Sequence, residues 1–241
     1  MRIYQNMLLQ NQSTIRLDEK ATHHLARVLR AAVGDHLTIF NGEGGEYEAV
    51  IAHIDKKAVT VELLRFVDRD VESPIHIYLA QGIARGEKMD FIVQKAVELG
   101  VSKIIPLVTE RCNVRLSGDR EEKRIEHWQS VIISACEQSG RNKLPEIMPP
   151  QTLAEWLDVA TMDHAFVLSP HVEQKLANVS IADQSSVAVL IGPEGGLSDQ
   201  EVSMANQKGF SSLNLGPRVL RTETATVAAL SVLQSCYGDL K

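Results

Sequence analysis

The stretch Val187-Ala188-Val189-Leu190-Ile191-Gly192-Pro193-Glu194-Gly195-Gly196-Leu197-Ser198-Asp199-Gln200-Glu201 decides the fold class of this chain. Five apolar residues without polar alternation read as a strand covered on both faces, and they run directly into a loop with three glycines. Ser198 and Glu201, three residues apart, then form a capping box that starts a helix. Strand, glycine-rich loop and helix in immediate succession are the unit of an α/β fold with a parallel sheet. Ligands of such sheets bind beyond the carboxyl ends of the strands, so this loop stands where a ligand would sit, and its glycines let backbone approach closely. A tight turn is the competing reading of the same glycines. A polyphosphate site is excluded, because neither the Lys-Ser/Thr pair of a P-loop nor G-x-G-x-x-G is present, and Glu194 favours a cationic ligand.

The next segment outward, Leu213 to Leu230, repeats the pattern: a strand ends in Gly216-Pro217 and a helix begins at Thr222 or Thr224, each suited to cap it. Glu223 in the first helical turn complements the helix dipole, so a structural charge and a chemical role are both open to it. Arg221, on a short loop between apolar segments, is placed to meet an anionic group or developing negative charge. A third strand end, Val167-Leu168-Ser169-Pro170, would lie beside these two if the strands are neighbours. Three such loops form a pocket of apolar walls and backbone amides.

From Ile75 onward the periodicity predicts strands over 75–80, 103–108, 165–168, 187–191 and 212–215, and helices over 88–99, 121–137, 153–157, 199–208 and 223–236. Before it the pattern differs. A helix over 17–30 precedes a meander of half-buried strands at 37–40, 47–54 and 58–64, with turns at 41–45 and 55–57, which predicts a small β-rich domain, a barrel. Val71-Glu72-Ser73-Pro74 is the expected linker, giving domains over 1–72 and 73–241.

Composition bounds the function. With 241 residues, 44% hydrophobic and 23% charged, the chain reads as folded and globular, and no apolar run approaches the roughly 20 residues of a membrane span. The N-terminus shows no export signal, so the cytoplasm is expected. Cys112, Cys136 and Cys236 are few and scattered, which reads as reduced core thiols rather than disulfides or a zinc site, and the eight histidines lack H-E-x-x-H, so no metal is expected. His23 and His24 read as surface or core residues, Met89 and Phe91 as packing.

The net charge is −6, but residues 151–241 carry 5 basic and 10 acidic groups while 71–150 are balanced at 11 each. In that middle region Arg111, Arg115, Arg120, Lys123 and Arg124 gather, interrupted by Asp119, Glu121 and Glu122; a solvated helix face and a phosphate contact both fit them.

Five ordered segments resemble one family: His24-Leu25-Ala26-Arg27-Val28-Leu29-Arg30 with Gly34-Asp35; Gly86-Glu87-Lys88-Met89-Asp90 through Glu98-Leu99-Gly100-Val101; Glu137-Gln138-Ser139-Gly140-Arg141; Ile191 to Gly196; and Leu215 to Ala225. They are similar to the RsmE-type 16S ribosomal RNA uridine N3-methyltransferases of the SPOUT superfamily. The resemblance implies a PUA-like N-terminal barrel for RNA, a C-terminal domain with a trefoil knot holding S-adenosylmethionine, and a homodimer whose chains share the site. It also implies 16S rRNA or the 30S subunit as partner, methylated at N3 of uridine 1498.

On that resemblance, donor contacts are expected from Leu168, Ser169, Pro170, Ile191, Gly192, Pro193, Gly196, Leu215, Gly216, Val219, Leu220 and Thr222. Arg221 would stabilise charge spreading onto the uracil oxygens, with Glu223, Glu194 or water as proton acceptor. RNA contacts are expected from Arg27 and Arg30 in the first domain and Arg85, Lys88 and Arg141 in the second. The rival readings are a noncatalytic RNA-binding assembly factor, a ribose 2′-O-methyltransferase and a nucleotide-dependent oxidoreductase; the missing dinucleotide fingerprint disfavours the last.

Overall fold

The structure, a computed structural model, describes residues 1–114, 118–169 and 179–240. They group into two units: Met1–Glu72 with Cys136–Leu144, and Ser73–Ala135 with Pro145–Lys241.

The first unit holds β1 (Arg2–Tyr4), β2 (Thr14–Arg16), β3 (His36–Phe40), β4 (Glu46–Ile54) and β5 (Val59–Val67) in one mixed sheet of order β1-β3-β4-β5-β2. The expected meander is β3-β4-β5, and β1 adds to it in parallel. The two three-residue strands were not anticipated, because three residues are too few for an alternating pattern to register. Helix α1 (Glu19–His23) starts at Asp18, whose Oδ1 accepts the Ala21 N–H at 2.7 Å, and continues as a π-helical turn over His24–Val28. Alternate strand residues such as Ile15, Ile39, Ile51 and Val61 join Leu25 in one apolar core.

The 136–144 segment completes this unit through polar contacts. Tyr4 N–H donates to Glu137 Oε1 (3.1 Å), Arg69 donates to the Gly140 carbonyl (2.8 Å), and Asn142 Nδ2 donates to the Arg69 carbonyl (2.9 Å).

The second unit runs β6 (His76–Gly82), α2 (Glu87–Glu98), β7 (Val101–Val108), α3 (Asp119–Ser139, its last residues counted with the first unit), β8 (Glu146–Ile147), β9 (Gln151–Thr152), α4 (Leu153–Val159), β10 (His164–Leu168), β11 (Ser186–Ile191), α5 (Asp199–Gln207), β12 (Ser211–Leu213) and α6 (Thr222–Tyr237). Its strands form one parallel sheet of order β12-β10-β11-β6-β7-β8, with β9 also on β7, as the unalternating apolar runs predict. Along β11, Ala188 and Leu190 face a core shared with Trp156 of α4 and Ala205 of α5, where Trp156 meets Phe210 edge-on at 5.5 Å. Helices α2 and α6 pack on each other, α2 also against β7 and α6 against β11. Each fully buried aliphatic side chain in these layers contributes about 1.5–3 kcal/mol.

Because every strand is parallel, the carboxyl ends of β6, β7, β10, β11 and β12 share one edge of the sheet. Among the described residues no helix is long and apolar enough to cross a membrane.

Candidate functional site

A cavity of about 510 Å³ opens at that edge, bounded by the loops after β10, β11 and β12, the first turns of α5 and α6, and Arg111 beyond β7. The size suits a small-molecule ligand. Of the residues expected to contact one, Leu168, Ser169, Ile191, Gly192, Pro193, Gly196, Leu215, Val219, Leu220 and Thr222 line the cavity, together with Glu194. Pro170, and Arg115 of the basic cluster, lie outside the described residues. Gly216 is not in the wall; its N–H is taken by Asn214 Oδ1 at 2.7 Å.

Arg221 and Glu223 flank Thr222 without lining the cavity. Arg221 is exposed and is itself the N-cap of α6, so the expectation that Thr222 or Thr224 caps the helix is corrected. The physical reason is that the Thr222 hydroxyl donates to the Gly192 carbonyl at 2.7 Å and serves the loop after β11. Among the described residues, Glu223 Oε2 is buried with no hydrogen-bond partner.

The three loop glycines have three different reasons. A Cβ on Gly192 would stand 2.7 Å from Gly196 C and Leu197 N, so the loop closes on its own backbone there. On Gly195 it would stand 2.9 Å from Arg111 Cβ, and Arg111 donates to the Gly195 carbonyl at 3.1 Å. A Cβ on Gly196 would meet nothing within 4 Å among the described residues, at φ +69°, where side chains are strained.

Glu194 is held by one backbone N–H and one ammonium. Burial works to raise its carboxyl, but the Arg85 N–H at 3.0 Å and the Lys88 ammonium at 3.4 Å outweigh it, and the group is held below the usual carboxylate range. A carboxylate held this way is a weaker proton acceptor and a better anchor for the loop.

Among the wall residues that the sequence reading did not assign to the site are Arg111, Leu197, Asp199, Leu213, Asn214 and Arg218. Most adjoin the motifs already singled out, whereas Arg111 reaches the cavity only because β7 ends at the same edge of the sheet. Arg111, Arg218, Glu194 and Asp199 all line the cavity, so the wall carries two charges of each sign.

Among the residues expected to meet RNA, Arg27 and Arg30 are exposed, Arg30 in the left-handed region at φ +52°, and Arg85 is exposed. Arg141 is corrected. It belongs to the first unit, is 4% exposed, and is paired with Glu72, Nε lying 3.1 Å from Oε1. Burial in an ion pair leaves it a structural role.

Residues 71–234 match the RNA methyltransferase domain, and residues 17–64 match the RNA methyltransferase PUA domain. Over 99% of its length the chain is 38% identical to 97% of a ribosomal RNA small subunit methyltransferase E from Buchnera aphidicola subsp. Schizaphis graminum (strain Sg). A crystal structure of a ribosomal RNA small subunit methyltransferase E from Neisseria gonorrhoeae, bound to S-adenosyl methionine, is 37% identical with a TM-score of 0.93, covering 100% of this chain and 99% of that one. A Legionella pneumophila chain described as a methyltransferase, solved with bound SAM, is 42% identical with a TM-score of 0.96 over 99% and 98% of the two chains.

Proposed function

Since the chain belongs to the ribosomal RNA small subunit methyltransferase E family, we propose that it transfers a methyl group from S-adenosylmethionine to N3 of a uridine, uridine 1498, in the 16S rRNA of the 30S subunit. The observation that carries this reading is the cavity at the ends of β10, β11 and β12, which gathers most of the residues expected to hold the donor.

The residues present fit that donor. Gly196 leaves open space at the wall where a side chain would intrude, and the two carboxylates and two guanidiniums suit a ligand that itself bears both signs of charge. When bound, the donor supplies an electrophilic methyl on a cationic sulfur. Backbone of the loops ending at Leu168, Ile191, Leu215 and Leu220 would hold and orient it. Arg221 stabilises the negative charge that spreads onto the uracil O2 and O4 as the N3 proton leaves. Glu223 takes that proton: among the described residues its Oε2 has no partner, whereas Glu194 is spent on the Arg85 N–H and Lys88.

Arg221 and Glu223 stand beside their own chain's cavity, in keeping with a homodimer in which both chains build the site. The trefoil knot belongs to the same reading. Arg27, Arg30, Arg85 and Lys88 are the proposed phosphate contacts.

The test is Arg221→Ala. Methyl transfer to the small-subunit RNA should fall at least about 100-fold with donor affinity by calorimetry within about twofold. Full transfer at unchanged donor affinity would overturn the role. Mass spectrometry of the product nucleoside should find N3-methyluridine; a 2′-O-methylated nucleoside would establish the ribose methylase instead.

A further inference from the structure

Gln81, near the end of β6, is 0% exposed and does not line the cavity, yet its amide reaches both walls of it. Nε2 lies 2.8 Å from the Gly82 carbonyl, 3.0 Å from Thr222 Oγ1 and 3.4 Å from the Gly192 carbonyl. Oε1 lies 2.8 Å from Thr226 Oγ1, whose single proton is shared between Gln81 Oε1 and the Thr222 carbonyl at 2.9 Å. The two carbonyls can only accept, so chemistry alone sets which end of the amide is nitrogen. Thr222 Oγ1, accepting from Gln81, has its one proton free for the Gly192 carbonyl at 2.7 Å. Gln81 Oε1 can only accept, so wherever the Thr226 proton serves it the donors run in one direction, Thr226 to Gln81 to Thr222 to Gly192, and each bond polarises the next.

Thr226 is 0% and Thr222 5% exposed, so a broken member is left without water. The residues before Gln81 on β6, Leu79 and Ala80, are apolar and equally buried; the sheet needs no polar group there for its core. What the chain of bonds reaches is the cavity, because Gly192 and Thr222 both line it and Thr222 lies between Arg221 and Glu223.

We propose that Gln81, oriented by Thr226, is a positioning residue that fixes the loop after β11 against the first turn of α6 and so shapes the donor site. The inference rests on the methyl-donor reading above. Gln81→Met and Thr226→Val keep size and burial but remove the hydrogen bonds. Each should weaken S-adenosylmethionine binding in calorimetry about tenfold, the value of one typical hydrogen bond, with affinity for a small-subunit rRNA fragment within about twofold. Thr226→Ser keeps the hydroxyl and should restore donor affinity.

Donor affinity within twofold of the parent in both variants would overturn the proposal. So would parallel loss of donor binding, RNA binding and thermal stability, or failure of both variants to fold, since the network would then be structural. If the parent chain itself bound no donor, the reading of function would fail; parent binding with unaffected variants would remove Gln81 alone.

Discussion

Glu201 Oε1 accepts the backbone N–H of Glu110 at 2.8 Å while its Oε2 accepts that of Ser198, also at 2.8 Å. One carboxylate, 7% exposed, thus ties the start of α5 to the loop after β7, from which Arg111 reaches Gly195. Two oxygens are needed, because both partners are donors.

Glu201→Gln should therefore be destabilising although it keeps size and shape. One N–H loses its acceptor and meets another donor, a cost of about 1–3 kcal/mol. For a chain of this size that lowers the melting temperature by roughly 3–10 °C, measurable by calorimetry. An unchanged melt would show that water replaces the lost acceptor.

Gly82→Ala and Gly196→Ala should separate stability from binding. A Cβ on Gly82 would lie 2.5 Å from both Pro193 N and Cδ, so the backbone must move and the melting temperature should fall. At Gly196 the Cβ meets nothing within 4 Å, and the strain of a left-handed residue costs about 1–2 kcal/mol. Here the fold should survive while donor affinity drops, the methyl group standing in the cavity. Similar melts for the two variants would contradict this division.

Cys136 is buried and its thiol is pushed up to about 12 by desolvation, from an ordinary 9.0. Well below pH 9 both the folded and unfolded thiols are protonated and stability does not change with pH through this group. Between about 9 and 12 only the unfolded thiol loses its proton, so stability falls by up to about 1.4 kcal/mol per pH unit from this group. Cys136→Ala should show a correspondingly shallower alkaline loss in denaturant titrations. At neutral pH iodoacetamide should label exposed Cys236 and spare Cys136 until the chain unfolds, as read by peptide mass spectrometry.

Arg141→Ala and Arg27→Ala, two arginines of similar sequence appearance, should behave oppositely. The first strands the Glu72 carboxylate and costs about 3 kcal/mol of stability. The second leaves the melt unchanged but weakens RNA binding and lowers the slope of log affinity against log salt by about 1. A salt slope altered by neither would remove Arg27 from the RNA interface.

The contrast shows where sequence reading stops. The buried run 187–191, the Ser198–Glu201 capping box and the parallel α/β order were legible because each is written in neighbouring residues. The pairs Arg141–Glu72 and Thr222–Gly192 were not, since their partners come from elsewhere in the chain and no local pattern announces them. Gln81 was passed over for the same reason: it stands as a single polar residue just past the predicted strand over 75–80, and its partners come from elsewhere in the chain. Strands of two residues, β8 and β9, are too short for any periodicity.

The central pairing of the large sheet sets the order in which the molecule can be made. Since β6 lies beside β11, roughly a hundred residues must be synthesised between them before that ladder can close, and loop-closure entropy is paid in full before the contact forms. A nascent chain halted before Ser186 would present the β11-facing edge of β6 unpaired, as Ile77 and Leu79 await their neighbours. Protection from hydrogen exchange of the β6 amides that face β11 should arise late in translation, after that of the amides facing β7.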